Sequence, residues 1–155
     1  MKKTKLIVCL SAIFSLFIIA CSHYDQLQKN GKESKASGKS HNAGQDCMKC
    51  HNDNSNEASS EAWWYVAGTV YTASGAINTN ARIEIWSEPG AKGYKITSLP
   101  ADKNGNFYTE KILKFNNGSY PIAISGNDTT YMISAFNGQG CNSCHGVSTD
   151  KIYVN

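Results

Sequence analysis

A chain of 155 residues has room for one modest core and a tail, and it is too short for two packed domains. Its hydrophobic share of 41%, with 13 glycines and 3 prolines, is that of an ordinary globular protein rather than a fibrous or low-complexity one. The formal net charge of +3 resides in Lys2, Lys3 and Lys5; without them twelve basic residues face twelve acidic ones, which leaves no basic patch for nucleic acid.

The first twenty residues read as a targeting segment. Lys2, Lys3 and Lys5 form a positive head, and residues 6–20 are apolar, uncharged and short for a bilayer span. The segment stops at Ile18-Ile19-Ala20-Cys21, which resembles the bacterial lipobox. That resemblance implies a signal peptide over 1–20, cleavage before Cys21 and acylation of Cys21. The chain is then expected to be exported and held on a membrane by lipid rather than by a helix. Ser22 behind the lipidated cysteine points, by analogy with Gram-negative lipoproteins, to the outer membrane, on its periplasmic or surface face. The alternative is an ordinary cleaved signal peptide with Cys21 as a bystander.

Residues 21–44 are rich in Ser, Lys, Asn, Gly and Gln and hold few apolar side chains. Such a stretch buries too little surface to order itself and is expected to be a flexible linker. The twenty-three residues after Cys21, 22–44, span roughly 26 Å on average as coil.

The domain proper is expected over 45–155, and it opens on chemistry. Of the six cysteines, Cys9 lies in the targeting segment and Cys21 is the lipid site. The other four form two identical patterns, Cys47-Met48-Lys49-Cys50-His51 and Cys141-Asn142-Ser143-Cys144-His145. Cys-x-x-Cys-His is the attachment pattern of c-type haem. Two residues between the thiols set a separation that matches two vinyl groups on one porphyrin edge, and the adjacent imidazole can ligate the iron. Two covalently bound haem c groups are therefore expected, held by Cys47, Cys50, Cys141 and Cys144, with His51 and His145 on iron. Zinc and paired disulfides are the alternatives; zinc ribbons place their cysteine pairs closer than the ninety residues that separate these.

For the second axial position only His23 and His41 remain among the four histidines. His41, six residues ahead of Cys47, is the candidate distal ligand, with a solvated loop histidine as its alternative. His23 is juxtamembrane. Met132 falls in a strand-like run and reads as core, and Met48 lies inside the motif.

From Trp63 the period changes to two. Trp64, Val66 and Val70 alternate with Tyr65, Ala67, Thr69 and Tyr71, and Ala81, Ile83 and Ile85 alternate with Arg82, Glu84 and Trp86. Strand-like runs follow at 94–99, 106–112, 120–125, 131–136 and 151–154. Turn signals part them at Ser74-Gly75, Pro89-Gly90, Asn104-Gly105, Asn117-Gly118, Gly126-Asn127 and Asn137-Gly138. The expectation is an all-β, antiparallel sandwich with its core over about 63–136 and no long helix. Six strands between the motifs return the chain to its starting pole, so both motifs are expected at one end. The cluster Trp63-Trp64-Tyr65 suits the core or rim, or an apolar cover for a porphyrin.

Ala67-Gly68-Thr69-Val70-Tyr71, Gly75, Ala81-Arg82-Ile83-Glu84-Ile85 and Asp102-Lys103-Asn104-Gly105-Asn106-Phe107 resemble the carboxypeptidase regulatory-like, transthyretin-like β-sandwich domain. The resemblance covers about half of the chain and implies an immunoglobulin-like or transthyretin-like scaffold without catalysis of its own. With two haem motifs the whole is similar to exported dihaem cytochrome lipoproteins. That implies electron transfer in the envelope with redox proteins or extracellular acceptors as partners, and room for self-association. No acid–base pair or Ser/His/Asp set stands near either motif. A dihaem peroxidase or reductase and a haem-free adhesive or binding sandwich are the alternatives.

Overall fold

The computed structural model describes residues 31–52, 63–115 and 118–155; the signal segment, Cys21 and His23 lie outside them. Among the described residues the structure is all-β, with eight strands in two sheets and two short 3₁₀ turns. No helix in them is long and apolar enough to cross a membrane.

The strands are β1 (Val66–Tyr71), β2 (Arg82–Glu88), β3 (Lys92–Pro100), β4 (Asn106–Thr109), β5 (Tyr120–Ser125), β6 (Asp128–Tyr131), β7 (Gln139–Gly140) and β8 (Ile152–Tyr153). One sheet is antiparallel throughout, in the order β3-β2-β5-β6. In the other, β1 is central: β4 pairs it antiparallel, whereas β7 and β8 both pair it parallel. The core lies between the sheets, where Val66 and Val70 of β1 and Phe107 of β4 meet Ile83, Ile85, Leu99 and Ala123 of the other sheet.

The alternation in β2 holds as written in the sequence. Ile83 and Ile85 face inward, while Arg82, Glu84 and Trp86 form a polar cluster on the other side. Glu84 is only 6% exposed there because its partners cover it. Its Oε1 accepts from Arg82 Nε and Lys95 Nζ, both at 3.2 Å, and its Oε2 accepts from Trp86 Nε1 at 3.1 Å. Burial alone would push this carboxyl up, but those hydrogen bonds outweigh it and hold Glu84 below the ordinary carboxylate range. The glycines of all six expected turns have positive φ, from 56° at Gly126 to 97° at Gly138. At Gly105 a side chain is doubly excluded: φ is 70°, and a Cβ would sit 2.9 Å from the Val70 carbonyl oxygen.

Four expectations need correction. The second sheet is mixed rather than antiparallel, because the chain returns along β1 twice near its carboxyl end. The core does not stop near 136: Val154 is 1% exposed, and its N–H donates to the Tyr71 carbonyl. The run expected at 131–136 is a strand only at 128–131, since the two-residue Gly126-Asn127 turn sets Ser125 opposite Asp128 and fixes the register. Lastly, the linker expected to reach Gly44 is docked from Lys32 onward. Ser34 N donates to the Tyr108 carbonyl, Glu110 N to the Lys32 carbonyl, and Glu33 bridges to Thr109 and pairs with Lys111.

Docking explains why every residue of β1 is buried although its sequence alternates. One face meets the core. The other is covered by polar chain that carries no hydrophobic signature.

Candidate functional site

The two cysteine motifs adopt the same local form. Cys47–Lys49 and Cys141–Ser143 are each one 3₁₀ turn. In both, the first cysteine's carbonyl accepts from the second cysteine's N–H at 3.2 Å and from the histidine's N–H at 2.9 Å. In the first, Asp46 caps the turn, its Oδ1 accepting from Met48 N. In the second, Ser143 Oγ closes onto the Gly140 carbonyl.

The motifs also touch. Gly140 precedes the second turn, and a Cβ there would come within 2.5 Å of Asp46 Oδ1 and 2.7 Å of Met48 Cγ in the first. About ninety residues of sequence separation thus close to van der Waals contact, at one place on the sandwich; the shared pole was expected, but from a count of six reversing strands, whereas seven strands lie between the motifs and β7 runs parallel to β1. None of these four cysteines forms a disulfide; Cys50 and Cys144 are exposed, Cys47 and Cys141 half-buried. Burial pushes the Cys141 thiol up to about 12, with neighbouring Cys47 adding to the effect, and the Cys47 thiol up to about 11 against an opposing backbone hydrogen bond.

A buried polar network holds the pair in register. Thr69 of β1 is its hub: its Oγ1 donates to Asn106 Oδ1 at 2.6 Å and accepts from Gly44 N at 2.8 Å and Asn142 Nδ2 at 3.3 Å, which uses the full capacity of a hydroxyl. Thr69 N donates to Asn142 Oδ1 at 2.9 Å, so Asn142, inside the second motif, is paired with β1 through both amide atoms. Asn106 Nδ2 reaches back to Ser40 Oγ and the His41 carbonyl. Asp102, 1% exposed, accepts from Ser40 N and Oγ and from the N–H groups of Asn104 and Asn106. Sequence reading missed these residues as parts of the site. The Asp-x-x-Gly turn at Asp102 was visible, but its use in clamping the segment ahead of Cys47 was not.

The imidazoles are placed differently. His51 stacks on Trp64 with ring centroids 3.7 Å apart and planes 2° from parallel, and Trp64 stacks in turn on Tyr108 at 4.3 Å. His41 lies beside His51, centroids 5.8 Å apart, so the lead-in expected to be flexible delivers it to the first motif. His145 Nδ1 is 2.7 Å from the Asp150 carbonyl, which can only accept; Nδ1 therefore donates, and Nε2 is the nitrogen left to face a ligand.

Family models, curated proteins and solved structures offer no match to this chain.

Beside the second motif lies a cavity of about 520 Å³, within the size range of small-molecule and cofactor pockets. Cys141, Cys144 and His145 line it together with Ile83, Phe107, Ile122, Met132 and Phe136. Met132, expected as strand core, lies just past β6, is half-buried and borders this space. Among the described residues, no three His, Cys, Asp or Glu side chains gather at metal-holding distance.

Proposed function

We propose that this chain is an exported, lipid-anchored dihaem c-type cytochrome that transfers electrons in the cell envelope. One observation carries the reading: two Cys-x-x-Cys-His turns of matching form, neither closed by a disulfide, are packed against one another on β1.

The residues fit the group. Cys47 and Cys50 would hold one haem and Cys141 and Cys144 the other, through thioether bonds from thiol to vinyl. His51 and His145 would be the proximal ligands. The Asp150 carbonyl sets His145 with Nε2 open, the outer hydrogen bond that orients metal-binding imidazoles. His41, beside His51, is the distal candidate for the first haem. A bound haem supplies one-electron chemistry at iron. Apolar side chains around the second motif would keep water from a porphyrin face, and Trp64 would cover part of the first.

Adjacent motifs suit a short relay within one molecule. The sandwich, in this reading of the transthyretin-like or immunoglobulin-like kind, is the frame that brings them together. Lipid on Cys21 would tether the domain to the outer membrane and raise its effective concentration near redox partners or extracellular acceptors. Nucleic acid has no place in it.

Expression with an export signal and the c-type maturation machinery tests this. Intact mass should exceed that of the acylated polypeptide by two haems, and both should resist extraction with acid and organic solvent. A colourless, iron-free product, or haem removed by extraction, would refute the proposal.

A further inference from the structure

We propose that Met132 is the second axial ligand of the iron at Cys141-Cys144-His145, which makes the two haem centres of this chain chemically unequal. The inference rests on the dihaem reading above and deepens it.

Met132 borders the same cavity as Cys141, Cys144 and His145. It stands just beyond the end of β6, where its N–H donates to the Pro121 carbonyl at 3.0 Å, so its backbone is fixed while the side chain stays outside the close-packed core. Half-buried at a cavity wall, a thioether keeps rotameric freedom and a soft lone pair.

Among the described residues the nitrogen and sulfur rivals are otherwise engaged. His41 stands against His51 of the first motif. Lys151 borders the cavity but places Nζ over the Tyr71 ring, 4.4 Å from its centroid. Tyr131 and Tyr153 are about half exposed and offer phenol oxygens, hard donors that compete poorly with a thioether for iron already bound to imidazole. Met48 packs on Gly140 beside the first turn.

Imidazole–thioether ligation raises a haem potential relative to two imidazoles. With His41 and His51 at the first motif and Met132 and His145 at the second, an electron entering at the first runs downhill to the second. The pair becomes a directional relay.

The test uses the matured dihaem protein and reads its spectra and its reductive titration. The oxidised wild type should show the weak long-wavelength band of sulfur-to-ferric-iron charge transfer at the strength of one haem in two, and two separated potentials. Met132→Ala should retain both haems and lose the band; Met132→His should lose it, remain low-spin and bring the two potentials together. Should the wild type carry two haems without that band, or should Met132→Ala keep it, the assignment of Met132 fails while the dihaem reading stands. If Met132→Ala does not fold, the wild-type band and the Met132→His titration decide. A chain that takes up no haem overturns both.

Discussion

Replacing Gly68 with alanine would test whether β1 is the floor on which the second motif rests. Gly68 is opposite Phe107 in the β1–β4 ladder, and the phenyl ring folds over it. A Cβ at Gly68 would come 2.6 Å from Phe107 Cζ and 2.9 Å from Cys141 Cβ, distances that real carbon atoms do not tolerate. Neither neighbour can yield easily. Phe107 is 1% exposed in the core, and Cys141 is held by its 3₁₀ turn and by the Asn142–Thr69 pairing next to it. The φ angle of Gly68 is not positive, so alanine brings crowding and no backbone strain. Overpacking of one methyl costs about 1–3 kcal/mol. Stiffening the unfolded chain returns about 0.4–1 kcal/mol. The expected net loss is about 1–2 kcal/mol, or roughly 4–8 °C in Tm for a domain of this size. Thermal and urea unfolding of wild type, Gly68→Ala, Phe107→Leu and the double variant would measure it. If the ring is the obstacle, Phe107→Leu makes room and the double variant should be more stable than additivity allows, by at least about 0.5 kcal/mol. A Gly68→Ala protein as stable as wild type, or strict additivity in the cycle, would refute the argument.

Two other outcomes follow from the buried polar groups. Asp102→Ala strands four donors, Ser40 N and Oγ and the N–H groups of Asn104 and Asn106, and should cost about 3–5 kcal/mol; hydrogen exchange should rise at Ser40 and Gly44, and unchanged protection there would show that the clamp is not what holds the segment. Because the folded state holds Glu84 below the ordinary carboxylate range, its stabilisation is complete above the unfolded value and fades as pH falls through the lower folded one. Glu84→Gln should therefore be less stable than wild type by about 1–2 kcal/mol at neutral pH, with the gap closing below about pH 4. A gap that widens in acid, read from urea unfolding across pH, would reverse that sign and the reasoning with it.

Much of this was legible in the sequence because it depends on apolar period and turn chemistry. Ile83 and Ile85 against Arg82, Glu84 and Trp86 gave the face of β2, and the six turn glycines gave the reversals. The paired motifs announced themselves by residue type and spacing. What stayed hidden is held by hydrogen bonds rather than apolar burial. Residues 32–44 read as linker because they are polar, yet Ser34, Ser40 and Gly44 each donate to the sandwich. Gln139–Gly140 and Ile152–Tyr153 are too short to show any period, so the parallel returns along β1 left no trace. Met132 reads as strand because Tyr131 and Ile133 flank it; only the register of the β5–β6 hairpin sets it past the strand end.

The common element is β1, and its position decides how the two motifs relate. A strand at a sheet's edge would have a ladder side to spare, and one facing water would leave its outer side chains solvated. β1 has neither: β4 occupies one edge, β7 and β8 share the other, and every residue is buried. The outer covering comes from the chain's two ends, the segment before Cys47 and the segment containing Asn142. Both draw on the same threonine hydroxyl. Thr69 has one proton and two acceptor sites, and all three are taken, so displacing either segment leaves one lone pair of this buried hydroxyl unfilled. The separation of the motifs is thus set by a saturated hydrogen-bond centre, not by a hinge or a flexible lead-in. For the relay proposed above, a fixed spacing of this kind is what two centres within one small domain would require.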